Sequence, residues 1–350
     1  MRATFFLTLA FTLCLTSSVI AEKAPSFSLA WSEYPSWSTF GVANELKMID
    51  GQKGKLGPIE EKWKVDIILK EADYDSCIAM YGSLGADAVC ITNMDALRPS
   101  LTRQSVAVLP TSTSYGADAC IVVGINNVKE LRGVKVYGLS KSVSEYCFVR
   151  NLEQLGEKES DHKFTNMDPA AAALAMQQQQ TGFNAIMVWN PFVLETLNKR
   201  KDAKVLFDST TIPNEIIDMV VIAQESLDKP GGNQFACAVI DTFYAINRRL
   251  EDPKTADDTL IALGEKFSHL DLQSMRKVVR QTLFYKTPKD ALKLFTGEEL
   301  PEIMKLVIEF CVSHDITPEK PTTGYGTKEK FPDVKFRFDP SYIKELMPKE

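Results

Sequence analysis

The residues best placed to do chemistry fall into two groups of opposite character. The first is aromatic and acidic: Trp31, Ser32, Glu33, Tyr34 and Trp37, then Asn93 and Asp95, then Ser114, Tyr115 and Asp118. Indole and phenol rings stack on planar or cationic groups. The carboxylates of Glu33, Asp95 and Asp118 would hold amino or guanidinium groups through charge-assisted hydrogen bonds. The second group sits where apolar runs end and helical patterns begin: Ser140, Ser142 and Ser144, Asn166 and Asp168, Trp189 and Asn190. Helix starts carry unpaired backbone N–H groups, which suit a carboxylate, sulfonate or phosphate. Taken singly, each of these residues also has an ordinary use as a cap, a turn residue or core packing. The signature motifs of catalysis are absent: no GxSxG, HExxH, P-loop or GxGxxG occurs, and His162, His269 and His314 have no motif partner. No catalytic residue, metal ligand or cofactor is expected.

The elements that must position these residues alternate. Phe27–Trp31, Val65–Leu69, the AVCIT run, Val106–Leu109 and Ala119–Val123 read as strands, with helices over 39–49 and 74–84, the second capped by Asp73. Further on, Val134–Leu139 and Ala185–Trp189 are strands. A capping box joins Ser142 and Glu145, and Asp168-Pro169 and Asn190-Pro191 each open a helix. Strand alternating with helix points to α/β architecture with mainly parallel sheets. The later chain, from Gln234 to Cys311, reads as helices, and the Pro-, Gly- and Lys-rich tail as an extended wrap ending in a short helix. Strand-like stretches near 115–119 and 213–219 would carry the chain from one lobe to another and back. The boundaries read as residues 22–117 with 219–350 for one lobe and 118–218 for the other. In parallel α/β sheets ligands bind where strands end and helices begin, so the two residue groups would face one cleft between the lobes.

The ends and the composition narrow the class. Arg2, the apolar Phe5–Leu15 and Val19-Ile20-Ala21 form the three regions of a secretory signal peptide over 1–21, cut near Ala21. The 350 residues carry a net charge of −6 without a basic cluster, which excludes nucleic acid as a partner. Beyond Cys14, six cysteines remain. They lie in apolar runs such as AVCIT and DACIVV, where a free thiol acts as a small core residue.

In order and spacing, LAWSEYPSW, GADAVCITNMDAL, VKELRGVKVYGLSKSVSEYCFVRNLEQLG and GFNAIMVWNP resemble the periplasmic substrate-binding proteins of nitrate/sulfonate/taurine-type ABC transporters. The likeness spans nearly the whole chain after the leader. It is nearest to a subgroup linked to urea carboxylase, with Glu33-x-Pro35 and Phe183-Asn184 as departures. The resemblance implies a two-lobed periplasmic binding protein of type II, a periplasmic monomer that closes on a small solute and delivers it to an inner-membrane ABC permease. It favours a urea- or guanidinium-type nitrogen compound, with a sulfonate, taurine or nitrate-like anion as the alternative. A further alternative is the related thiamine-pyrimidine synthase, whose Cys-rich motif this chain lacks.

Overall fold

Runs such as Leu29-Ala30-Trp31, Ala88–Thr92 and Ala185–Trp189 are apolar at every position. A strand can use such a run only if helices cover both faces of its sheet. The computed structural model describes residues 23–267 and 269–348, and the leader expected over residues 1–21 lies outside the described residues. The chain forms β1 (Ser26–Trp31), β2 (Asp66–Glu71), β3 (Ala88–Thr92), β4 (Ser105–Ser114), β5 (Asp118–Val123), β6 (Lys135–Gly138) and β7 (Lys163–Asn166). There follow β8 (Ala185–Trp189), β9 (Ala203–Asp208), β10 (Ile217–Ala223), β11 (Thr282–Phe284), β12 (Thr323–Tyr325) and β13 (Phe336–Phe338).

These strands make two sheets, each flanked by helices. The first runs β12-β13-β4-β10-β3-β1-β2, with β11 also on β4, and the second runs β7-β6-β8-β5-β9. The central plan is the same in both. β2-β1-β3-β10-β4 matches β7-β6-β8-β5-β9, and in each the fourth strand is antiparallel to its neighbours. That fourth strand is the first one after the chain has passed from one sheet to the other: β4 leads into β5, and β9 into β10. The molecule is therefore a two-lobed α/β protein with its crossing strands side by side at the hinge.

Local chemistry starts the helices. Asp73 Oδ1 accepts the Ser76 N–H at 2.9 Å, and Asp168 Oδ1 accepts the Ala171 N–H at 2.8 Å, with Pro169 at the first helical position. The expected capping box is shifted by one residue. Ser142 Oγ accepts the Ser144 N–H, but Glu145 reaches back to the N–H of Lys141. Asn190 is not the cap of its helix, which opens at Phe192. Its amide donates instead to Gln281 Oε1 at 3.0 Å. The tail does more than wrap: β13 pairs with Ser105–Ala107 of β4 and β12 extends the sheet, so the edge of β4 is covered. Among the described residues the six cysteines are buried and unpaired with one another.

Two knots tie the hinge. Asn93 Oδ1 accepts the Ile217 N–H at 3.1 Å, and its amide donates to the Glu215 carbonyl at 3.0 Å. Arg150 holds the Glu215 carboxylate with two bonds of 2.9 Å, and the Tyr146 hydroxyl donates to the same group. At the first crossing Ser209 Oγ lies 2.7 Å from Ser114 Oγ and accepts the Gly116 N–H.

Candidate functional site

The chain direction in each sheet brings β1, β3, β8 and the heads of both crossing strands to the gap between the lobes. There a small cavity of about 20 Å³ is lined by Tyr34, Trp37, Tyr74, Thr92, Asp118, Val143, Trp189, Ile216 and Asp218. Its aromatic side is continuous. Tyr34 and Trp37 have ring centroids 4.8 Å apart, and Trp37 stacks on Tyr74 at 5.4 Å. Tyr74 of the first lobe meets Trp189 of the second edge-on at 5.9 Å. Aromatic walls with a few convergent polar groups are the usual makeup of a small-molecule site.

The polar groups are acids without cations. Asp118 heads β5 and Asp218 sits near the head of β10, so each lobe contributes its crossing-strand carboxylate. Both are buried. Burial pushes Asp118 up to about 7 against the nearby Ser114 hydroxyl, with Asp95 and Asp208 adding to the rise. Burial raises Asp218 well above the carboxylate range, although Ser112 Oγ donates to its Oδ2 at 2.5 Å, and Asp118 raises it further. Tyr34 is raised in turn by burial, Asp218 and Asp118. Among the described residues no Lys, Arg or His lines this cavity.

A wider opening of about 110 Å³ adjoins it, sharing Tyr74 and Trp189. Glu33, Asp73 and Asp75 from the first lobe and Asp168 from the second gather there. Asp75 is raised by burial and by Asp73 and Asp168. A mouth lined by one sign of charge concentrates the opposite ion.

The structure therefore sorts the sequence candidates. Tyr34, Trp37, Asp118 and Trp189 line the cavity, and Ser32, Glu33 and Asp168 line the mouth. Trp31 packs into the core, where a Cβ on Gly41 would stand 2.7 Å from its ring. Asn93 belongs to the hinge. Asp95 lies behind the wall, accepting the Tyr74 hydroxyl at 2.8 Å and the Thr92 hydroxyl at 2.9 Å. Tyr115 is 45% exposed at the first crossing, and Asn190 is tied to Gln281. Asn166 accepts the Ser140 N–H at 2.9 Å, and Ser142 caps its helix. Ser144 is buried with no partner for its hydroxyl. Tyr74, Thr92, Val143, Ile216 and above all Asp218 were missed. The signal for Asp218 was present: IDMVVIA, like DACIVV, puts an acid at the head of an apolar run.

The helix start at Ser140–Ser144 is spoken for. The Val143 N–H bonds Asp95 across the cleft, Ser144 N–H bonds Ser142 Oγ, and Lys141 N–H bonds Glu145. Burial raises Asp95 to about 6 although the Tyr74 and Thr92 hydroxyls and the Val143 N–H work against it.

No protein-family model matches the chain, and no curated protein matches it. Solved structures do. The periplasmic aliphatic sulphonate binding protein SsuA from Escherichia coli is 16% identical with a TM-score of 0.64, over 84% of this chain and 89% of its own. The alkanesulfonate-binding protein SsuA from Xanthomonas axonopodis pv. citri, bound to MOPS, is 13% identical with a TM-score of 0.65, over 86% and 96%. The Candida albicans CA3427 product, described as having the generic periplasmic binding protein fold, is 11% identical with a TM-score of 0.61, over 84% and 92%. This chain has the periplasmic binding protein fold. Identities this low speak for architecture alone, and the periplasmic-binding-protein cleft acquires its chemistry from its own lining. Among the described residues no helix is long and apolar enough to cross a membrane.

Proposed function

We propose that this chain is an exported, non-catalytic solute receptor. It closes its two lobes on a small, planar, N–H-rich solute of the urea or guanidinium type and hands it, as a monomer, to an ABC permease. One observation carries the reading: Asp118 and Asp218, from opposite lobes, face an aromatic-walled cavity that contains no cationic side chain. Two buried carboxyls without a counter-charge are costly to ionise and hold on to their protons, and a cation between them takes the place of those protons. A cation that touches both lobes binds the closed state better than the open one, so it shifts the population toward closure. Tyr34, Trp37, Tyr74 and Trp189 supply faces for a flat or cationic group. The acidic mouth draws the same sign of solute inward.

A second reading is a sulfonate receptor, favoured by the two sulfonate-binding neighbours. The lining weighs against it, since a sulfonate would enter beside two acids and find a helix start whose Ser140, Lys141 and Ser144 N–H groups are already bonded. A thermal-shift screen of ureas, guanidines, amines, sulfonates and nitrate separates the two. A true solute at a hundredfold excess over its Kd adds about 2.7 kcal/mol of stability. Nitrogen compounds should stabilise the protein and anions should not. Stabilisation by sulfonates alone would overturn the proposal.

A further inference from the structure

The polar groups of the cavity are not all acceptors. Trp37 is 3% exposed, its ring lines the cavity, and its indole N–H is buried without a hydrogen-bond partner. An indole N–H can only donate. Its ring neighbours do not serve it: the Tyr74 hydroxyl is engaged with Asp95, and the Tyr34 hydroxyl, 4% exposed, is turned to Asp218. The Thr92 hydroxyl is also committed to Asp95. The lining therefore presents two unmatched chemistries. Asp118 and Asp218 call for donors on the solute, and Trp37 calls for an acceptor.

Simple ions satisfy only half of this. Guanidinium and ammonium bring donors alone, so the Trp37 N–H would stay buried and unbonded. A sulfonate or nitrate brings acceptors alone, which serve Trp37 but repel the acids. We infer that the solute combines both, as a small planar cation whose N–H groups meet Asp118 and Asp218 and whose carbonyl or similar oxygen accepts from Trp37. The enclosed room between the lobes is small, about 20 Å³ in this structure, so the acceptor must sit close to the cationic group. The inference rests on the receptor reading above and narrows its solute class to acylated or carbamoylated amidines and guanidines.

The test uses isothermal calorimetry on the full chain after its leader, with three probes. These are guanidinium, carbamoylguanidinium, and isopropylguanidinium, which has the same heavy-atom count as the carbamoyl compound but no acceptor. Leaving a buried donor unbonded has a cost that corresponds to about tenfold in affinity. Carbamoylguanidinium should therefore bind at least about tenfold more tightly than isopropylguanidinium. Trp37→Phe, which keeps an aromatic face and removes the N–H, should bring the two close to parity. Equal binding of the two probes by the wild-type chain would overturn the inference and leave the cation receptor standing. So would an unchanged preference in Trp37→Phe. Binding of sulfonates and of none of the three probes would overturn both readings. Should Trp37→Phe fail to fold, the wild-type comparison decides alone.

Discussion

Thr92–Asp95 and Thr165–Asp168 are the same four residues, TNMD, one in each lobe, and the fold puts them to different uses. The first copy is buried throughout, whereas Asn166 and Asp168 of the second are exposed. Position in the sheet makes the difference. β3 lies between β1 and β10, so the residues after it run into the hinge and the opposite lobe. β7 is an edge strand with β6 as its one partner, so the residues after it emerge at the rim. Asn93 thus bonds backbone on the returning crossover, while Asn166 steadies the half-buried Ser140. Asp95 is sealed behind Tyr74, while Asp168 caps a helix at the mouth. Local sequence selects the turn, and sheet position decides what the turn is for.

Substitutions at matched positions can break this comparison. The largest effect is expected from Asn93→Ala, which orphans the Ile217 N–H and the Glu215 carbonyl. It should lower unfolding free energy by about 3 kcal/mol in urea denaturation. If Asn166→Ala cost as much, the positional account would be wrong.

Next comes Asp95→Asn. The folded pKa of Asp95, about 6, lies above that of an unfolded carboxylate, so the folded protein holds a proton that the unfolded chain releases. Stability contributed by that proton is present at low pH and is lost as pH rises from about 4 through 6. The variant should flatten that part of the profile and gain up to about 3 kcal/mol above pH 6. An unaltered pH profile would contradict the burial argument.

A smaller effect, about 1 kcal/mol, is expected from Asp168→Ala through loss of the Ala171 cap. Asn166→Ala should cost less than 1 kcal/mol, since Ser140 N–H can turn to water.

Much of this layout was legible in the chain itself. β8 has the bounds its apolar run suggests, β1 differs by one residue, and Asp73 and Asp168 cap as their spacing indicates. These features are set by neighbours in sequence. The three-residue strands β11, β12 and β13 were not legible, because pairing with β4 or with one another defines them. Asn190 looked like a cap for the same local reasons as Asp168, but Gln281, far along the chain, takes its amide. Asp218 opens its apolar run much as Asp118 does, but the run alone does not say that the two acids meet. Only the matching order of the two sheets shows it to be the counterpart of Asp118.

That pairing is the centre of the account, and binding calorimetry tests it directly. Wild type, Asp118→Asn and Asp218→Asn would each be titrated with a guanidinium-type solute and with an alkanesulfonate. The account predicts that the wild type binds the cation and not the sulfonate. It also predicts that either substitution weakens cation binding by about a hundredfold or more, since it removes one partner of a buried charge pair. It would be contradicted if both variants bound the cation as the wild type does, or if the sulfonate bound the wild type and bound the Asn variants more tightly.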